Sequence, residues 1–413
     1  VHPPPASPTS RNWFPWLLVA VVLLQTAHNL ARPLMSYLAI SLGAGEVAIG
    51  LLTVAYSLVA VLAAVPLGRF TDRYPSSSLV LGAGIALLAA AAAILAVAPS
   101  LWVLALGGSL LGLGHLVFII AGQGLIARQS PEHLLDRDFG WFTAAVAVGQ
   151  MIGPGVAGLL LGDASGTGLT DPSRAALWIA VATALLAAPC LLGIAARLAP
   201  NRTAGAGTVG TVGTQPKVSL PSILRRPGIP SGLLVSMALL ASVDILVAYL
   251  PLIAEQRGIA PVVAGALLSL RAVAAIASRL LLPLLLRRWT RRTLIMLSAG
   301  GAALALACVP LPQANPVTMG AALLVGGFLL GLGQPLTMTS VVRAVPASAR
   351  STALAIRLTS NRFGLVAMPA GAALIAGTGG AAGAVWFTCA VLALAGGAAV
   401  RTPPDRGSTA DSA

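Results

Sequence analysis

A helix must run about 20 apolar residues to cross the hydrocarbon of a bilayer, and this chain offers twelve such stretches in succession. They fall at 13–40, 46–67, 78–98, 101–126, 140–162, 175–196, 230–253, 261–285, 293–312, 316–340, 351–376 and 382–400, with short polar breaks between them. A bare peptide group finds no water in hydrocarbon, so only helices or closed barrels span it, and barrel strands are only about 10 residues long. The expectation is an all-α integral membrane protein. Composition agrees, because 57% hydrophobic against 9% charged residues leaves too little polar surface for a soluble domain of 413 residues.

The second half echoes the first at an offset of 215 residues, which takes Arg73 to Arg288, Arg128 to Arg343, Pro131 to Pro346, Gly149 to Gly364 and Pro154 to Pro369. Internal repetition of membrane-spanning bundles is how secondary transporters are built. We therefore expect twelve transmembrane helices in two six-helix pseudo-repeat bundles around a central cavity. The expected organisation is a tail at 1–12, a first bundle at 13–200, a linker at 201–229 rich in Gly, Thr, Pro and basic residues, a second bundle at 230–400, and a tail at 401–413.

The net charge of +14 is spread over many short loops instead of one patch, so no nucleic-acid partner is expected. With the N terminus inside, 18 of the 25 basic residues lie in cytoplasmic segments, Arg174 and Arg257 lie outside, and five Arg fall within spans. The positive-inside rule then places both termini in the cytoplasm of a multi-pass cell-membrane protein. A single Lys beside so many Arg suggests a GC-rich bacterial genome and hence an inner membrane. Cys190, Cys308 and Cys389 all sit in spans, which leaves no disulfide framework. No Walker loop, metal-ligand cluster or nucleophile-His-acid set appears, so neither an enzyme nor a cofactor is expected.

Polar side chains at membrane depth normally face a bundle interior or a wet cavity. Here they are Gln25, His28, Asn29 and Arg32 in the first span, Tyr56 in the second, His115 and Gln123 in the fourth, and Gln150 in the fifth. The second half adds Asp244, Arg271, Arg279, Gln334, Arg357, Asn361 and Arg362. Spans three, six, nine and twelve carry no charged residue, amide or His and are expected to face lipid. Helical spacing puts Gln25, His28 and Arg32 on one stripe and Arg357, Asn361 and Gly364 on another, while Arg362 should point elsewhere and Arg279 should snorkel to the headgroups.

Asp244 is the acid placed at mid-membrane and is the candidate proton site, with Arg271 at similar depth its expected partner; a static ion pair is the structural alternative. His28 and His115 are alternative proton carriers. Arg32, Arg271 and Arg357 outweigh Asp244, so a substrate with an anionic group is expected, because a guanidinium grips carboxylate, phosphate or sulfonate with a bidentate fork. Tyr56, Trp141 and Gln123 are candidates to line the same cavity.

Two local motifs add to this pattern. The loop after span two carries Gly68, Asp72 and Arg73 as G-x-x-x-D-R, in which the carboxylate can bond the N-terminal end of a neighbouring helix and latch a gate. On span five, Gly140, Gly149, Gly153, Pro154, Ala157 and Gly158 follow G-x8-G-x3-G-P-x2-G-G with one Gly replaced by Ala, and small residues at this spacing let helices pack closely. With these motifs the chain resembles the major facilitator superfamily from Trp13 to Val400. It departs from that family's loop pattern at Pro75, Ser76 and Ser77, and Arg287 stands where the second half would carry the acid.

The resemblance implies a secondary transporter that works as a monomer by alternating access. Span five is similar to that of the family's antiporters, and Arg271 and Arg357 fall on spans eight and eleven, where some of its organic-anion transporters carry basic residues. The chain is therefore expected to be a proton-coupled exporter of small organic compounds with an anionic or zwitterionic group. Arg32, Arg271, Arg357, Asn361, His28, Gln25, Tyr56, His115 and Gln123 are expected to bind substrate, Asp244 to carry the proton, and Gly68, Asp72, Arg73, Gly149, Gly153 and Pro154 to gate. Substrate, protons and the lipid bilayer are its expected partners. An importer or exchanger of organic anions, or a membrane receptor without transport, are the alternatives.

Overall fold

The computed structural model describes residues 12–73, 77–131, 134–197, 224–226, 228–345 and 350–400. Among them the regular elements are helices: α1 Trp13–Ser41, α2 Glu46–Arg73, α3 Ser77–Ala96, α4 Leu101–Gln129, α5 Leu135–Leu161, α6 Thr170–Leu185 and α7 Ala188–Arg197, then α8 Ile229–Gln256, α9 Pro261–Arg288, α10 Arg291–Met296, α11 Ala302–Ala307, α12 Pro316–Arg343 and α13 Arg350–Ala399. Ten helical segments among the described residues are long and apolar enough to cross a membrane, which is consistent with twelve crossings. The ninth expected span is broken, since α10 and α11 are separated by a π-helical turn, Leu297–Gly301, that ends in two glycines. The eleventh and twelfth run together as α13, interrupted at Gly380, whose φ of 64° only glycine adopts readily. Span six divides into α6 and α7, with Pro189 in the first turn of α7, where a missing N–H leaves no bond unmade.

The expected tails at 1–12 and 401–413 and the linker at 201–229 lie mostly outside the described residues. Gly68, Asp72 and Arg73 lie in the last turns of α2, but their side chains are outside the described residues, and the expected latch with them.

Small residues set how closely the helices approach. A methyl group on Gly153 of α5 would lie 2.6 Å from the Asn29 carbonyl carbon of α1, and one on Gly149 would collide with Gln25. The 215-residue offset reappears in such contacts. Gly112 packs on the Tyr56 carbonyl, and 215 residues later Gly327 packs on the Arg271 carbonyl. Gly158 of α5 meets Gly265 of α9, and the same step carries this pair to Ala373 of α13 and Gly50 of α2, where an added methyl would sit 2.5 Å from the Ala373 Cβ. Helices from the two halves therefore pack in a pseudo-twofold arrangement, α5 on α9 and α13 on α2.

Both contacts lie toward one face of the molecule, the face where α1 ends and α2, α6 and α9 begin. Hydrogen bonds between the halves gather on the same side. Tyr249 Oη donates to the Glu46 carbonyl at 3.1 Å, Gln256 Nε2 to Glu46 Oε1 at 2.9 Å, the Gly166 N–H to Glu255 Oε1 at 2.6 Å, and Ser269 Oγ to the Met151 carbonyl at 2.7 Å. Among the described residues, these bonds join the two halves on that face.

Gly153→Ala drives a methyl into backbone and should cost about 1–3 kcal/mol of stability. Gly140 has nothing within 4 Å of an added Cβ, and its replacement by Ala in an exposed helix should be neutral or stabilising by up to about 1 kcal/mol. Thermal unfolding in detergent separates the two, and equal effects would show that α1 and α5 are not in close contact.

Candidate functional site

A cavity of about 300 Å³ lies between the halves, at the small end of the about 300–1,000 Å³ typical of ligand pockets. Its lining comes from α1, α2, α4, α5, α8, α9, α12 and the first part of α13. None comes from α3, α6, α7, α10, α11 or the part of α13 beyond Gly380, which are the spans expected to face lipid. Eight of the eleven first-half lining residues have their 215-residue equivalents in the lining as well. Asn29 matches Asp244, Tyr56 matches Arg271, Gln25 matches Leu240, His28 matches Val243, Arg32 matches Val247 and His115 matches Leu330. The cavity thus sits on the pseudo-twofold axis with unequal chemistry on its two sides, polar from the first half and largely apolar at the matching positions of the second.

The glycines of α5 serve this site from behind. Gly149 and Gly153 seat α5 against the backbone at Gln25 and Asn29, and Pro154 itself lines the cavity. The Pro154 ring also removes the N–H that would bond the carbonyl of Gln150, another lining residue.

Asp244 pairs with Arg32 and not with Arg271 as expected. Arg32 Nη1 donates to Asp244 Oδ1 at 2.6 Å, with side chains 8% and 14% exposed. Depth along a span cannot say which two helices meet, and here α1 and α8 cross at the axis. The Arg32 guanidinium also lies over the Tyr56 ring, 4.6 Å from its centroid. Tyr56 Oη shares a hydrogen bond of 3.1 Å with His28 Nε2, and the His28 ring stacks on His115 at 4.0 Å. Five side chains from α1, α2, α4 and α8 thus form one connected series from carboxylate to imidazole.

Three arginines differ from expectation. Arg357 does not line the cavity; it donates from Nη2 to the Gln334 carbonyl and Oε1 at 3.1 and 2.9 Å and to Thr337 Oγ1 at 3.3 Å, fastening α13 to α12. Arg362 and Arg279 do line it. On α13 the wall takes in Leu358, Asn361, Arg362 and Leu365, an arc one residue beyond the stripe through Arg357, so the flank carrying Arg357 meets α12 instead. Arg279 remains within the cavity because the lining of α9 extends two turns beyond Arg271. Gln123 is exposed on α4 and does not line the cavity. Trp141 is exposed too, in a shallow groove with Phe14, Pro15, Leu18 and Arg137. Gln25, His28, Tyr56, His115, Arg32, Arg271 and Asn361 all line the cavity as expected. Four lining arginines, Arg32, Arg271, Arg279 and Arg362, stand against one lining carboxylate, Asp244.

Removing one member of a buried pair is harmful chiefly because it strands the other charge. Asp244→Leu leaves Arg32 among further arginines and should destabilise the protein by about 3–5 kcal/mol. Arg32→Leu should cost less, because Arg271 stands within electrostatic reach of Asp244, and the double variant should recover most of the loss. Unfolding of all three in detergent is the check; equal single losses without recovery would refute the coupling.

The sequence matches the family model for the Major Facilitator Superfamily over residues 17–326. Among solved structures, the fold is similar to that of a D-xylose-proton symporter, with a TM-score of 0.74 at 14% identity, covering 95% of this chain and 98% of that one. It is also similar to the nucleoside transporter NupG, with a TM-score of 0.70 at 17% identity over 95% and 100%. A bacterial homologue of the iron transporter ferroportin in an inward-facing state gives 0.70 at 17% over 94% and 98%. At such identities the likeness is one of fold. A search of curated proteins finds no significant match. With the family model matched over most of the chain, apolar spanning helices and a central cavity, the chain belongs to the major facilitator superfamily and is a multi-pass membrane transporter, not an enzyme.

Proposed function

We propose that this protein is a proton-coupled secondary transporter of small organic compounds bearing an anionic or zwitterionic group, and that it works by alternating access about the central cavity. The observation that carries this reading is the charge of the lining, four arginines against the single carboxylate of Asp244. An uncompensated guanidinium at membrane depth is costly, and an anion in the cavity removes that cost. Asp244 is the proton site in this scheme, because protonation breaks its bond to Arg32 and frees a cation that faces the cavity. The cavity is enclosed by one chain, which supports transport by a monomer. The basic loops support a cytoplasmic position for both termini, and in that orientation the face joined by the Glu46 and Glu255 contacts is the outer one.

Two directions of coupling are open to this site. Export by antiport is supported by the resemblance of α5 to the family's antiporters. Co-movement of proton and anion, as in an importer, is favoured by the Arg32–Asp244 pair. A neutral Asp244 no longer competes for Arg32 and leaves the cavity more positive, so the two ligands assist each other's binding, and by linkage the assistance is mutual.

Proteoliposomes with an internal pH probe and an imposed anion gradient test the reading. Anion-dependent proton movement should occur in the native protein and fall at least about tenfold with Asp244→Asn, the loss of one ionisable partner from a coupled pair. Acidification of the lumen during anion entry indicates co-movement; alkalinisation indicates antiport. Anion counterflow without any proton movement, unchanged in the variant, would replace proton coupling with simple exchange.

A further inference from the structure

The answers that the buried arginines find in this protein are uneven. Arg32 is paired with Asp244, and Arg357 is bound to Gln334 and Thr337. Arg279 and Arg362 are only partly buried. Arg271 alone among the described cavity arginines is both buried, at 4% exposure, and without a hydrogen-bond partner; its Nε is enclosed and unbonded. Although within electrostatic reach of Asp244, this deeply placed cation has no acceptor bonded to it.

Two amides are in the same condition. Gln25 on α1 is 2% exposed and Asn361 on α13 is 6% exposed, both line the cavity, and Gln25 Oε1 and Asn361 Oδ1 are buried without a partner. A buried amide is costly when unmet, and native structures rarely leave one so without reason. Each presents a carbonyl oxygen and an NH₂, the complement of a group that both donates and accepts, such as a hydroxyl, or of an amine that donates. The second half also lines the cavity with Leu240, Val243 and Leu365, which supply apolar surface.

Resting on the anion-transport reading above, we propose a narrower substrate class: small carboxylic acids with a short apolar body and a hydroxyl or amino group close to the carboxylate. The carboxylate binds Arg271, the hydroxyl or amine is read by Gln25 and Asn361, and the body lies against the leucine and valine wall. All three features line the same cavity of about 300 Å³. A site built to bond a substrate hydroxyl discriminates strongly against the analogue that lacks it, because its own polar groups are then left buried and unmet.

The test is a matched series that differs at one position: 4-methylpentanoate, 2-hydroxy-4-methylpentanoate and leucine, measured by binding to the purified full chain and by counterflow in proteoliposomes. The hydroxy or the amino acid should bind at least about tenfold more tightly than the plain acid. Gln25→Leu and Asn361→Leu should each erase that preference by removing an amide that the plain acid leaves unmet, so that the plain acid binds at least as tightly as before, and this retained binding also shows that the variants fold. Arg271→Leu should abolish binding of all three. Equal binding of the three acids by the native protein, or a preference that survives both amide variants, overturns this proposal and leaves the anion reading standing. Binding of none of them overturns this proposal too, and the anion reading then stands or falls on the proton-movement experiment above.

Discussion

A guanidinium at the centre of a bilayer costs about 2.5–3.5 kcal/mol on insertion scales unless something meets its charge and its donors, and the arrangement of this protein follows from that cost. Apart from Arg271, each arginine at depth is met differently. Arg32 has a carboxylate, Arg357 has an amide, a carbonyl and a hydroxyl, and Arg279 and Arg362 keep part of their surface accessible. These demands require the polar faces of eight helix segments to point at one place, and the helices without such residues are left to cover the outside. The cavity is the space that remains when those faces converge.

Convergence also needs helices that can come close. The glycines of α5 let it lie against the backbone of α1 on one side and α9 on the other. The contact of Gly158 with Gly265 is one of backbone on backbone, whereas at its equivalent between Ala373 and Gly50 the Tyr249 hydroxyl also reaches the contact. The first kind of surface can part without dragging buried side chains through one another, and the polar bonds of Glu46 and Glu255 beside these contacts add specificity to the join.

Much of the fold was legible in the sequence because the bilayer imposes simple rules: length and hydropathy mark the spans, and intramembrane polar residues mark the helices that face inward. Repetition was legible from matched positions such as Gly149 and Gly364, and the structure adds a further pair, since Gly112 on Tyr56 and Gly327 on Arg271 are close approaches that demand the same small residue in both halves. What sequence spacing could not convey is where one helix meets another. Asp244 and Arg271 lie at similar depth, yet Arg32 lies closer across the axis. A single helical stripe was too narrow a criterion on α13, where the cavity spans an arc that includes Arg362 and leaves Arg357 to α12. Apolar breaks have local causes, and the π turn after Met296 carries only the glycine pair as its mark.

The pseudo-symmetric match of Asn29 with Asp244 shows why the acid resides where it does. Had the two residues been exchanged, the carboxylate would stand three positions before Arg32 on the same helix, within easy reach of it. That pair would satisfy the charge equally well and would join nothing to anything. Placed at 244, the same two groups span the divide between the halves, so a change in the charge of one carboxylate becomes a change in how the two bodies of the protein are held together.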